Sequence, residues 1–222
     1  MKVSGSQTLS RGKINENLVA SGMTRINGNF ECNEFKSSGT LRGEGNIAVK
    51  GDFQCSGSFK LRGSLAVDGK ARSSGSTTIE GEVLINGYFT KSGTLKVLEQ
   101  VKAIDGAKMS GFTKIEGNLL SEEDVDLRGN VAIGGNITAE NVLIGMVIDD
   151  FRPLKHPYKV HGNIVAENEI AIKKTFVGGD IEGRDVKIGK GTEVLGTIYY
   201  LNSIEIHPRA ILAKKPIKVK NR

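Results

Sequence analysis

Tryptophan is absent from these 222 residues, all aromatics together make up 5%, and there are only four prolines and two cysteines. Each shortage excludes something. With so few rings, bulky aromatic packing is not how this chain fills a core. Two cysteines do not make a secreted disulfide framework. No run approaches the roughly 18 apolar residues of a spanning helix. The N-terminus, Met1-Lys2-Val3-Ser4-Gly5, opens with no apolar signal region. A soluble cytoplasmic protein is the expectation.

Glycine is what the chain has in excess: 29 residues, nearly double the usual share of about 7%. Without proline beside it, this is neither collagen nor a disordered Pro/Gly mixture. It suits many tight corners between short strands.

The glycines are periodic. They fall at 39, 45, 51, 57, 63, 69, 75, 81, 87 and 93, and again at 111, 117, 129 and 135. Three steps of six make one unit. Units begin at Gly12, Gly28, Gly45, Gly63, Gly81, Glu99, Gly117, Gly135, Gly162, Gly179 and Gly196. All are 16–18 residues apart except the interval of 27 between Gly135 and Gly162. Repeats of this length indicate a solenoid.

Within a step the third and fifth residues are usually apolar, as in Ile47 and Val49 after Gly45, or Phe53 and Cys55 after Gly51. Alternation with period two marks strands with one buried face. Three strands and three corners make one triangular coil. The residue two places after each unit start reads Ile14, Phe30, Ile47, Leu65, Val83, Val101, Leu119, Ile137, Ile164, Ile181 and Ile198, apolar throughout. A second column reads Phe53, Ala71, Phe89, Ala107, Val125, Val142, Ile170, Val186 and Ile204. The fold class read from this is all-β: a single-domain parallel β-helix of about eleven coils, forming a rod on the order of 50 Å long. Residues 1–11 form an N-terminal arm, 12–212 the β-helix and 213–222 a basic tail. Ser73, Thr77 and Lys91 stand where apolar residues belong. Lys91 is expected to snorkel, or its strand to bulge.

The long interval holds an inserted loop near 146–159, with two of the four prolines. Asp149, Asp150, Arg152, His156 and Tyr158 make it a candidate contact site. It has no spaced histidine pair for a metal. Cys32 and Cys55 fall on inward positions of different columns and read as buried free thiols. Glu122, Glu123 and Asp124 form an acidic corner without the calcium nonapeptide of other solenoids. No phosphate loop, nucleophile elbow or H-E-x-x-H occurs. No catalytic residue, metal or cofactor is assigned.

The net charge is +6, of which Lys214, Lys215, Lys218, Lys220 and Arg222 supply five. A nearly neutral body argues against nucleic acid as a partner. The tail is a candidate contact for an anionic membrane surface.

Two recurring phrases carry a family resemblance. One is S-G-[ST]-x-x-x-x-G, as in Ser56-Gly57-Ser58-Phe59-Lys60-Leu61-Arg62-Gly63 and Ser74-Gly75-Ser76-Thr77-Thr78-Ile79-Glu80-Gly81. The other is Gly135-Asn136-Ile137-Thr138-Ala139-Glu140-Asn141-Val142, repeated at Gly162-Asn163-Ile164-Val165-Ala166-Glu167-Asn168-Glu169. From about Gly5 to Ile206 the chain resembles the bactofilins, polymer-forming cytoskeletal proteins of bacteria. The resemblance implies a right-handed β-helix, nucleotide-independent filaments, and a scaffold for cell shape or envelope enzymes. Members of that family often attach to membranes through a short N-terminal apolar segment, which this sequence does not show.

A β-helix also leaves an open strand edge at each end. Ile14, Leu18, Ile198, Tyr200, Ile204 and Ile206 are the candidate stacking surfaces, with the chain itself as partner. Two rival readings are an acyltransferase on a left-handed hexapeptide-repeat helix and a carbohydrate-binding or lyase β-helix. The first wants one aliphatic residue per hexad and a catalytic histidine in a coil-to-coil pocket. The second wants longer coils with clustered aspartates.

Overall fold

The computed structural model describes residues 1–146 and 158–220. It is all strand, with every strand parallel to its neighbours in one continuous sheet. In the middle coils each short strand pairs with the third one after it. Leu119–Leu120 pairs with Ile137–Ala139, Val125–Leu127 with Val142–Ile144, and Ala132–Ile133 with Lys159–Val160. Three strands therefore close each coil, and the chain is a three-sided β-solenoid.

The first face holds Ile47–Val49, Leu65–Val67, Val83–Ile85 and Val101–Ala103. Its column Phe30, Ile47, Leu65, Val83, Val101, Leu119, Ile137, Ile164, Ile181, Ile198 stacks in that order. Ile14 is not in it. The register shifts between Ser10 and Gly12, so Gly12 lies opposite Phe30 and Lys13 opposite Glu31. Ile14 stands two places further on. The second face carries Phe53, Ala71, Phe89, Ala107 and Val125 in the expected register, and extends it backwards through Phe35 to Leu18. The buried part of the third-face column begins with Ile26 and runs through Leu61, Ile79, Val97, Ile115 and Ile133 to Val194.

In the early coils the second and third faces are one bent strand. Phe35–Glu44, Phe53–Arg62, Ala71–Ile79, Phe89–Val97 and Ala107–Ile115 each turn at a central glycine. Those glycines stack from Gly22 to Gly129, all with φ between 85° and 112°. A Cβ at Gly57 would lie 2.2 Å from the Gly39 carbonyl oxygen, and one at Gly75 would lie 2.3 Å from that of Gly57. Both the positive φ and the approach of the coil below require glycine here. After the insertion the continuous strands are Ile181–Ile188 and Ile198–Ile206, which bend between the first and second faces instead. The rod thus has two segments that differ in which corner is the smooth one.

At the corner that opens each unit, a ladder of short polar side chains ties coil to coil. Asn29 Oδ1 accepts from the Asn46 N–H, and Asn46 Oδ1 from the Ser64 N–H. Asn118, Asn136 and Asn163 repeat the bond upward, each at 2.8 Å, to the N–H of Asn136, Asn163 and Asp180. Each bond satisfies a backbone donor that the corner leaves outside the sheet. Its sequence signal is the residue after the unit glycine.

The inward polar residues are accommodated without a bulge. Ser73 Oγ and Thr77 Oγ1 lie 2.7 Å apart across the glycine corner and satisfy one another. Lys91 is 1% exposed. Its Nζ donates to the Gly75 and Ser92 carbonyls at 2.9 and 2.6 Å, beside the glycine ridge. The register on both sides is unbroken. Lys91 has snorkelled to backbone oxygens at the corner, and burial lowers its pKa to about 8. Cys32 and Cys55 are buried free thiols, their pKa values pushed by burial to about 11.

Gly57→Ala is expected to cost more than about 2 kcal/mol, combining φ strain with the backbone clash. Gly5 has φ of 74° but open space around it, so Gly5→Ala should cost only about 1 kcal/mol. Urea unfolding of the two variants tests the difference. Lys91 carries a folded pKa below its unfolded one, so the unfolded chain holds more protons between about pH 8 and 10.5. The wild type should therefore recover stability relative to Lys91→Met across that window. At pH 7 Lys91→Met should be the more stable protein by about 2 kcal/mol. A gap that stays constant with pH would show that the lysine bears no burial penalty.

Candidate functional site

The repeat leaves two places where its pattern stops: the ends of the rod. At the N-terminal end, Lys2–Val3 and Ser6–Lys13 pair only with Leu18–Cys32. Among the described residues nothing covers their other edge. At the C-terminal end, Ile217–Lys218 pairs with Tyr199 and Tyr200, and Ile211–Leu212 with Glu193 and Val194. Beyond Tyr200, no described strand pairs with the outer edge of Ile198–Ile206.

These ends expose what interior coils bury. Val3, Leu9 and Ile14 at one end, and Tyr200, Ile204, Ala210 and Leu212 at the other, pack against the core but remain partly uncovered. Ile206, Ile211 and Ile217 are 40%, 64% and 47% exposed. Two of the residues expected at the end surfaces are elsewhere. Leu18 is fully buried because Met1 and the strand Lys2–Val3 lie across Val19 and Ala20 beside it. Ile198 is buried because the last strand stacks beside it at Tyr199 and Tyr200. The expected arm and tail are both solenoid in part. Residues 213–220 continue the coil, with the Val219 N–H donating to the Tyr200 carbonyl at 2.9 Å. Leu9 and Leu212 extend the third-face column to the two ends, Leu9 standing 17 residues before Ile26 and Leu212 18 after Val194, and that spacing is visible in the sequence.

The overhangs are complementary in phase. Ahead of the first unit, residues 2–11 supply strands of the second and third faces; after the last, Ile217–Lys218 supplies one of the first. At each end the described outermost strands include one from every face.

Of the inserted loop, Asp149, Asp150, Arg152 and His156 lie outside the described residues. Tyr158 does not belong to that loop. It opens the strand Tyr158–Val160, pairs with Thr175 and is fully buried. Its ring packs under Gly145, where a Cβ would come within 2.6 Å of Cε2. Among the described residues its hydroxyl has no hydrogen-bond partner. Burial raises its pKa, and the Gly129 backbone offsets part of that without completing a hydrogen bond.

Two surface depressions accompany the C-terminal coils. One, of about 650 Å³, lies between Glu167, Arg184, Tyr199, Leu201 and Val219. The other, of about 510 Å³, is lined by Met146, Lys173, Lys174, Lys187, Lys190 and His207. His207 Nδ1 accepts the Arg209 N–H at 3.0 Å and so caps a turn. His161 lies against the Phe176 ring. Among the described residues no three His, Cys, Asp or Glu side chains are placed to hold a metal ion. The basic tail residues Lys214, Lys215, Lys218 and Lys220 are all exposed on the last coil, while Arg222 lies outside the described residues. No helix among them is long and apolar enough to cross a membrane.

Compared with known proteins, the chain matches no family model, no curated protein and no solved structure.

Because the Tyr158 hydroxyl is buried without a partner among the described residues, Tyr158→Phe should leave the melting midpoint unchanged or raise stability by up to about 1 kcal/mol. A clear loss would show that the hydroxyl does bond within the fold.

Proposed function

We propose that this chain is a structural protein of bactofilin type that assembles end to end into filaments without nucleotide. In this reading the filament is a scaffold on which cell-envelope or cell-shape factors are placed. One observation carries it: both ends of the rod present open parallel strand edges with apolar inward residues only partly covered. A soluble solenoid ordinarily blunts such ends with a helix, a loop or inward charges. Here the described ends have none of these over Leu9, Ile204 or Leu212.

The same ends are cationic. Ser6–Lys13 contains Arg11 and Lys13 and no acid. After Glu205 the last coil contains Arg209, Lys214, Lys215, Lys218 and Lys220 and no acid. Like charges meet in any end-to-end joint, so screening favours assembly. The tail lysines are also available to an anionic membrane surface from a filament terminus.

The acyltransferase alternative draws on the lysine-lined depression beside His207, which has the charge to receive a polyanionic cofactor. Acetyl-CoA binding and acyl-transfer assays separate the two readings.

Negative-stain electron microscopy of the wild type should show rods joined lengthwise, longer at about 150 mM salt than at about 10 mM. Ile206→Arg should give a folded species that is shorter or monomeric. Wild-type protein that remains monomeric at high concentration in both salts sinks the assignment.

A further inference from the structure

The outward columns of the first half of the rod carry an unexpected charge pattern. Either side of the glycine ridge, successive coils present the segments 19–25, 36–42, 54–60, 72–78, 90–96 and 108–114. No acidic residue occurs in any of them. Their outward cations form two rows along the axis. On the second face, Lys36 is followed by Gln54, Arg72, Thr90 and Lys108; on the third, Arg25, Arg42, Lys60, Thr78, Lys96 and Lys114 stack in sequence. Between the rows run the glycines and a column of serines from Ser21 to Ser110, one per coil.

Arg25, Lys36, Arg42, Lys60, Arg72 and Lys96 are exposed, and among the described residues none of them makes an ion pair. Lys108 and Lys114 are held by Asp126 and Glu116. The acids of the third face sit at its far rim, where Glu44 and Glu80 share Arg62. On the third face, stacking at ~4.8 Å brings Arg25, Arg42 and Lys60 closer than a Debye length, so that row repels itself until an anion is present.

We propose that this edge of the rod is a docking surface for an anionic lipid bilayer. The shape selects a plane. A convex corner bearing parallel cation rows can lay all six unpaired cations on a flat surface at once, and its small hydroxyl side chains let the backbone approach phosphate groups closely. A single polyanionic strand would want a groove and stacking rings. The edge is a ridge, and its only exposed aromatic is Phe112. The inference concerns one rod and does not depend on end-to-end assembly.

Vesicle co-sedimentation at a concentration below assembly tests it. The wild type should bind phosphatidylcholine vesicles containing about 30% phosphatidylglycerol, release from them as salt rises, and ignore pure phosphatidylcholine. Each cation near such a surface is worth about five-fold in partitioning, so the triple variant Arg42→Glu, Lys60→Glu, Lys96→Glu should lose more than about 100-fold. Its melting curve should match the wild type. Lys214→Glu with Lys215→Glu should retain most of the binding. The proposal is overturned if wild type does not sediment with the anionic vesicles, if the tail variant loses as much as the edge variant, or if duplex DNA competes the protein off at equal phosphate.

Discussion

Everything in this molecule follows from one constraint: each coil lies one parallel-strand spacing, ~4.8 Å, above the last, with its residues directly over their counterparts. At that distance identical positions are neighbours. A corner glycine meets a carbonyl oxygen, so Gly39, Gly57 and Gly75 cannot each be replaced by a residue with a side chain unless the backbones part. A corner asparagine meets a backbone N–H and bonds it, so the Asn118, Asn136, Asn163 series propagates. An inward aliphatic meets an aliphatic. The stack is cooperative for this reason, because no coil buries its inward residues alone.

The constraint also concentrates whatever is placed on the outside. A cation repeated at one position becomes a line of charge, and a hydroxyl a line of donors. In a globular fold Arg25, Arg42, Lys60 and Lys96 would be scattered. Here they share a face of the rod. Stacking likewise has no internal stop. Unless a different structure is laid over the last coil, the surface it offers resembles the one that every interior coil has already accepted. The ends and the ridge are thus the two features that the fold itself makes available for function, one apolar and one cationic.

Where the repeat yields, it yields at specific residues. Lys91 keeps its place in an apolar column because its stem is long enough to carry Nζ to the carbonyls at the corner. Tyr158 follows Pro157 within the one sequence interval that breaks the repeat. It is nevertheless the first residue of the restored repeat, 17 residues before Thr175 in the same column. Ile14 fell out of its column because a single irregularity between Ser10 and Gly12 moves the register, and in a strand such shifts cannot be seen from side-chain type alone.

The sequence by itself determined the coil length, the three-sided cross-section, both apolar columns apart from Ile14, and the burial of Cys32 and Cys55. Those are local and periodic properties, and period two with a glycine every six residues admits few other structures. Only the tertiary structure decided which residues remain uncovered. Leu18 and Ile198 are as apolar as Ile204, yet the first two are covered by the chain's own terminal strands. Exposure at an end depends on where the stack stops. Likewise the charges of Arg42 and Lys60 are plain in the sequence, but that they align on one edge without acids between them is a consequence of register, which brings residues 18 apart into contact.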